Sequence, residues 1–290
     1  MQEFLQFIFS GLTVGAVYAL VALGFTIIYN ASEVVNFAQG EFVMLGGMTT
    51  VFLAAAGVPL PLAAALAVVA TVAVGLALYA FAIAPVRGAS TVTLIIITIG
   101  ASILIRGAAQ VIFDKQVHRL PSFSGDTPIT LAGAAILPQS FWILGGAAVI
   151  VVGLKAFFEH TLTGKAVLAA AANSLAAELV GISLRKVVGL SFALSAAIGA
   201  VGGILAAPIT FTSYDMGTLL ALKGFAAAML GGIGNPIGAV VGGLMVGLLE
   251  AFGAGYVSSS YKDGIAFLVI LVVLFAMPQG LFGRAKVERV

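Results

Sequence analysis

"LAVVATVAVGLALYAFAIA", residues 66–84, carries no charged side chain and no amide or imidazole across nineteen positions. At about 1.5 Å of rise per residue an α-helix of this length covers about 28 Å, close to the roughly 30 Å of hydrocarbon in a bilayer. Its side chains do not alternate between apolar and polar, as the strands of a membrane barrel must. The stretch therefore reads as one membrane-crossing helix, and it sets the class because runs of the same kind recur at 5–28, 92–113, 141–158, 188–207 and 264–282, with its own run extending over 62–84. Two further apolar regions are interrupted. Residues 40–56 are short and broken by glycine after the polar "NASEVVNFAQGE", and residues 219–253 are broken at "LGGIGNPIGAVVGG". The expectation is an all-α polytopic membrane protein, a single domain over 1–290 with about eight transmembrane helices, the two interrupted regions being full spans, broken helices or re-entrant elements.

Composition agrees. The chain is 61% hydrophobic and 8% charged, with mean hydropathy +1.19, against about 25% charged residues in soluble domains. A net charge of +2 gives nucleic acid nothing to bind. Without cysteine there is no disulfide, thiolate metal site or thiol nucleophile. The two histidines, His118 and His160, are far apart, and neither H-E-x-x-H nor G-x-S-x-G occurs, so no metal centre, cofactor or hydrolytic site is expected. The opening "MQEFLQFIFSGL" is acidic and runs into a full-length span, unlike the basic start of a cleaved signal.

Cytoplasmic loops hold the excess of Lys and Arg. If 159–187 is cytoplasmic, eight cations share that side (Arg87, Lys155, Lys165, Arg185, Lys186, Arg284, Lys286, Arg289) against three on the other (Lys115, Arg119, Lys262). That places the C-terminus inside and leaves the N-terminus undecided. The main periplasmic loop is then 114–140, with a second outer loop at 208–218. Arg106 and Lys223 lie within apolar surroundings. Snorkelling toward an interface is the leading reading for both, with pairing to Glu41, Asp215 or Glu250, or contact with a substrate carboxylate, as the alternatives.

Three stretches stand out as sites. Residues 160–186, "HTLTGKAVLAAAANSLAAELVGISLRK", are too polar to span and too apolar for a free loop. A helix there must bury Leu168, Leu175, Leu179 and Ile182, either on lipid headgroups or against a cytoplasmic partner that the small run Ala169–Ala172 lets approach closely. "NFAQGE" puts Asn36, Gln39 and Glu41 beside a glycine between apolar stretches. These residues line a pathway, because polar groups at membrane depth are costly unless they pair or face water, or Asn36 caps a helix whose first turn carries Glu41 while Gln39 sits at the headgroups. In "LGGIGNPIGAVVGG", Gly234, Gly238 and Gly242 recur every fourth residue as a packing ridge, whereas Asn235 and Pro236 interrupt the hydrogen-bond ladder as in a discontinuous helix near a pore. The Lys-Ser/Thr pair of a phosphate loop is missing.

"TGKAVLAAAANSLAAELVGIS" running into "GLSFALSAAIGAVGGILAAP", with "NFAQGEFVMLGG" before it and "GGIGNPIGAVVGG" after, resembles the H-type permease subunit of high-affinity branched-chain amino-acid ABC importers. The likeness extends over the whole chain in order and spacing. It implies a non-catalytic permease of the bacterial inner membrane that works with a homologous second permease, two cytoplasmic ATPases that bind the ATP, and a periplasmic substrate-binding protein. It makes 159–187 the coupling segment, with Gly164, Ala171, Asn173, Ala177 and Gly181 as its contact residues, and it favours Asn36, Gln39, Glu41, Gly234, Asn235 and Pro236 along the substrate route. Relatives with this pattern serve several small polar solutes, so urea or a short amide stands as alternative cargo. A self-sufficient ion-coupled transporter or channel, using Glu41, Asp215 and Glu250 as coupling acids, is the other class.

Overall fold

A computed structural model describes residues 2–86, 88–131 and 133–283. Arg87, Arg284, Lys286 and Arg289, four of the cations used to orient the chain, lie outside the described residues.

The bundle is built around its first helix. α1 (Gln2–Ser32) is buried almost all round from Gly15 to Ile28, so its sequence shows no polar face. Gly11, Gly15 and Ala19 recur at a spacing of four and meet Gly243 and Gly247 of α10 (Pro236–Phe252). An added Cβ at Gly247 would stand 2.4 Å from the carbonyl oxygen of Gly11 and from the backbone of Gly15, and one at Gly243 would stand 2.3 Å from the nitrogen of Ala19. Lipid tails are as apolar as leucine, so helices in a bilayer are held by close van der Waals packing, which small residues allow.

α2 (Gln39–Ala55) and α8 (Leu184–Thr210) pack against α1 and each other, and α3 (Leu60–Leu78) leans on both. A π turn (Tyr79–Ile83) and a 3-10 turn (Ala84–Val86) extend α3. α4 (Thr91–Phe113), α5 (Pro138–His160) and α11 (Lys262–Ala276) lie outside this core and expose long apolar faces. Among the described residues seven helices are long and apolar enough to cross a membrane. The two interrupted regions hold α2, with 17 residues, and α9 (Met216–Gly231), with 16. Region 219–253 is thus a hairpin of α9 and α10 around the turn 232–235, rather than one long broken span.

The two ends of the bundle are identified by their contacts. At one end the Gln6 amide exchanges hydrogen bonds with the backbone of Ala135 (2.9 and 2.8 Å), and His118 pairs with Thr212 (both bonds 2.8 Å). The loop after α4 lies here and contains a two-stranded hairpin, β1 (Ile129–Leu131) and β2 (Ala134–Ile136). The short helices α6 (Leu162–Ala172) and α7 (Ser174–Leu179) sit at the other end, against Ala31, Phe158 and Leu184. Leu281 and Phe282 bond back to Leu230 and Gly231 (2.8 and 3.0 Å) near the same end. The N-terminus, undecided from sequence, therefore lies opposite α6 and α7.

Lys223 does not snorkel. It is 5% exposed, and its ammonium meets Glu250 at 2.9 Å and Asp263 at 2.7 Å and donates to the Tyr18 hydroxyl at 3.0 Å. Tyr18 in turn donates to Glu250 (2.8 Å), and Lys262 approaches Glu250 at 3.3 Å. This network ties α11 to α1, α9 and α10, and it is the pairing with Glu250 left open above. A buried charge needs such partners because its desolvation is not otherwise repaid.

Candidate functional site

Between α1 and α2 the chain leaves helical geometry over residues 33–38, and protein groups satisfy the freed backbone. Glu33 takes φ +54°. The Phe37 N–H donates to the Thr98 hydroxyl of α4 (3.2 Å), which donates to the carbonyl of Val35 (3.3 Å). Irregular backbone at membrane depth persists only with such support. Asn36 accepts from the Ala38 N–H at 3.1 Å, and its Nδ2 is buried without a partner. It does not cap α2. The cap position is Ala38, which offers no side-chain acceptor.

Gln39 is fully buried. Its Nε2 donates to the Ser195 carbonyl (3.2 Å), while the Ser195 hydroxyl donates to Gln39 Oε1 and to the carbonyl of Gly24 (3.0 Å). Gln39 is a tie among α1, α2 and α8. Glu41, in the first turn of α2, is also fully buried. Its Oε1 accepts from Ser102 at 2.8 Å, and its Oε2 has no partner and rests against Gly217, where an added Cβ would stand 2.3 Å away. One turn beyond Ser102 on α4, Arg106 donates to the Thr218 hydroxyl at 2.8 Å. Ser102 and Thr218 escaped the sequence reading. The signal available was Ser-x-x-x-Arg on one face of an otherwise apolar helix.

Gly234, Asn235 and Pro236 lie elsewhere, in the α9–α10 turn at the α6–α7 end. Gly234 has φ +93°, so it sits in the turn and does not extend the ridge, whereas Gly238 and Gly242 do pack on Gly231 and Ala227 of α9. Asn235 caps α10, accepting from Ile237 and Gly238 (3.0 and 3.1 Å), with Pro236 in the first turn. Its Nδ2 donates to the Phe282 carbonyl at 3.3 Å, and Asn30 donates to the Gly234 carbonyl at 2.9 Å. The break is a capped hairpin turn, not a discontinuous helix. Replacing Asn235 with Leu is expected to cost about 1 kcal/mol of cap energy. Thermal unfolding in detergent should register this as a lower Tm, with unchanged uptake per folded molecule.

The segment expected to be one helix is two, broken at Asn173, whose side chain caps α7 by accepting from Ala176 (2.9 Å). Gly164 is buried at the α5–α6 corner, where an added Cβ would stand 2.2 Å from the Phe157 carbonyl oxygen. The inward face is Val167, Ala170 and Ala177, packed with Ile182 and Val187. Of the residues expected to be covered by headgroups or a partner, Leu175 is 69% and Leu179 81% exposed and Leu168 is exposed as well, whereas Ile182 packs on the inner face. Ala171, Asn173 and Gly181 (φ +88°) are exposed too. A cavity of about 700 Å³ opens between the last turn of α1, the π turn after α3 and α6–α7, with Asn30, Glu33, Asn173, Glu178 and Arg185 in its wall.

Residues 7–274, nearly the whole bundle, match the family model of the permease component of branched-chain amino acid transport systems. The chain belongs to this family. This permease is 34% identical to the high-affinity branched-chain amino acid transport system permease protein LivH of Escherichia coli (strain K12), over 99% of the chain and 98% of the relative. It is equally similar to BraD of Pseudomonas aeruginosa, 34% over 99% and 98%. A probable branched-chain amino acid transport permease of Methanocaldococcus jannaschii is 27% identical over 91% of the chain and 88% of its own length.

Proposed function

We propose that this permease forms half of the membrane channel of an ATP-driven importer of branched-chain amino acids in a bacterial inner membrane. A homologous second permease supplies the other half. Two ATPases dock from the cytoplasm, one of them on α6 and α7, and carry out all ATP hydrolysis, and a periplasmic binding protein delivers cargo to the end formed by residues 114–137 and 211–215. The observation that carries the reading is the outward face of α6–α7. Leu168, Leu175 and Leu179 stand exposed on a segment whose inner face is seated on α1, α5 and α8. Burying one such leucine in a partner is worth roughly 1.5–3 kcal/mol. A displacement of α6–α7 by the ATPases passes through Ala31, Phe158 and Leu184 into three spans at once.

The test is a Leu175→Asp, Leu179→Asp double variant. It is expected to insert in the membrane at the wild-type level and to lose ATPase co-purification and nucleotide-dependent leucine uptake in proteoliposomes. A complex recovered at full strength would remove the docking role. Uptake of urea but not leucine by the intact importer would replace the cargo, and uptake driven by an ion gradient without nucleotide would replace the class.

A further inference from the structure

Between Ile96 and Ile112 the outward face of α4 is apolar or small, with Leu104, Val111 and Ile112 most exposed, except for one polar row. Ser102 and Arg106 stand about 6 Å apart along α4, Thr218 faces Arg106 from α9, and Glu41 lies behind Ser102. Two features of the row have no structural explanation. Glu41 is fully buried, yet one carboxylate oxygen has no hydrogen-bond partner. Among the described residues Arg106 has no carboxylate within 4 Å, and its one side-chain hydrogen bond leaves most of its five N–H donors free. Elsewhere the protein closes its buried charges into pairs, as around Lys223. Here a carboxyl group and a guanidinium each bond a hydroxyl and not each other.

Charged and hydroxyl groups on the side of a span are costly against lipid, so this face borders water. The residue covering the free oxygen of Glu41 is Gly217, next to Thr218, so a ligand reaches that oxygen only where the glycine backbone of α9 moves off it. We infer that the row Glu41–Ser102–Arg106–Thr218 is a contact site for an α-amino-carboxylate zwitterion in transit, its ammonium held by the Glu41 carboxylate and its carboxylate by the Arg106 guanidinium. The inference rests on the permease reading above and adds the groups that recognise the cargo backbone. The site is indifferent to the side chain, which suits a pathway whose selectivity resides in the delivering protein.

The experiment uses the purified importer complex without its binding protein and measures binding of three labelled probes: leucine, isopentylamine and 4-methylpentanoate. Wild type is expected to bind leucine saturably and more tightly than either single-charge probe. Glu41→Gln, which can still accept from Ser102, should weaken leucine and isopentylamine about tenfold or more and leave 4-methylpentanoate unchanged. Arg106→Gln should weaken leucine and 4-methylpentanoate and spare the amine. Thr218→Lys, at an exposed position, places a tethered ammonium beside Glu41 and should abolish binding of the two ammonium probes alone. That variant decides the matter if either Gln variant does not assemble. Wild type binding none of the probes, variants within twofold of wild type, or variants losing all three probes alike would each overturn the inference. The permease reading fails by a different result, namely an intact wild-type complex without nucleotide-dependent uptake.

Discussion

Gly247→Leu is expected to yield no folded permease. The new Cβ alone would stand 2.4 Å from the Gly11 carbonyl oxygen and the Gly15 backbone, and these are main-chain atoms of the most deeply packed helix, with no rotamer to yield. Overpacking a core with movable side chains costs about 1–3 kcal/mol. Here the two helices must separate instead, and every small-residue contact from Gly11 to Ala19 is lost together. The comparison is Gly153→Leu on α5, where an added Cβ meets nothing within 4 Å. Gel filtration in detergent should show aggregate or no monodisperse species for the first variant and a normal peak for the second. Equal behaviour would mean that the α1–α10 seam does not hold the bundle.

The second large effect is at Lys223. Lys223→Met removes the cation between Glu250 and Asp263 and leaves the mostly buried Glu250 with the Tyr18 hydroxyl and one described cation, Lys262, 3.3 Å from its other oxygen. Breaking a buried ion pair by removing one partner typically costs about 3–5 kcal/mol, whereas removing both can be nearly neutral. Lys223→Met should therefore lower the Tm strongly, and Lys223→Met with Glu250→Met should recover most of the loss. A single variant as stable as wild type would show that α11 is held by its apolar contacts alone.

Both predictions rest on details that the sequence disclosed unevenly. The span pattern was legible because length and hydropathy are local properties: 66–84 can form one helix whatever surrounds it. The glycine spacing in "GNPIGAVVGG" announced a packing ridge, but which glycine meets which helix depends on rotation about the α10 axis. Gly242 and Gly243 are adjacent, yet they face α9 and α1 respectively. The same limit hid the inner face of 160–186: the cap at Asn173 restarts the helix and turns Ala177 inward, while Leu168, Leu175 and Leu179 stay on the outer side. The polar stretch 36–41 was legible as polar residues between apolar runs, whereas its partners Thr98, Ser102 and Ser195 lie more than sixty residues away.

The central position of α1 has a consequence for how the protein is made. Of the described helices the first to be synthesised is the one most completely enclosed at the end, and its hydroxyl at Tyr18 bonds a carboxylate 232 residues downstream. Until that late hairpin is synthesised, the bare glycine backbone of α1 has only lipid or an insertion factor against it. Assembly must therefore close around a waiting first segment, and a nascent chain truncated before α10 should be recognised by membrane quality control as unfinished.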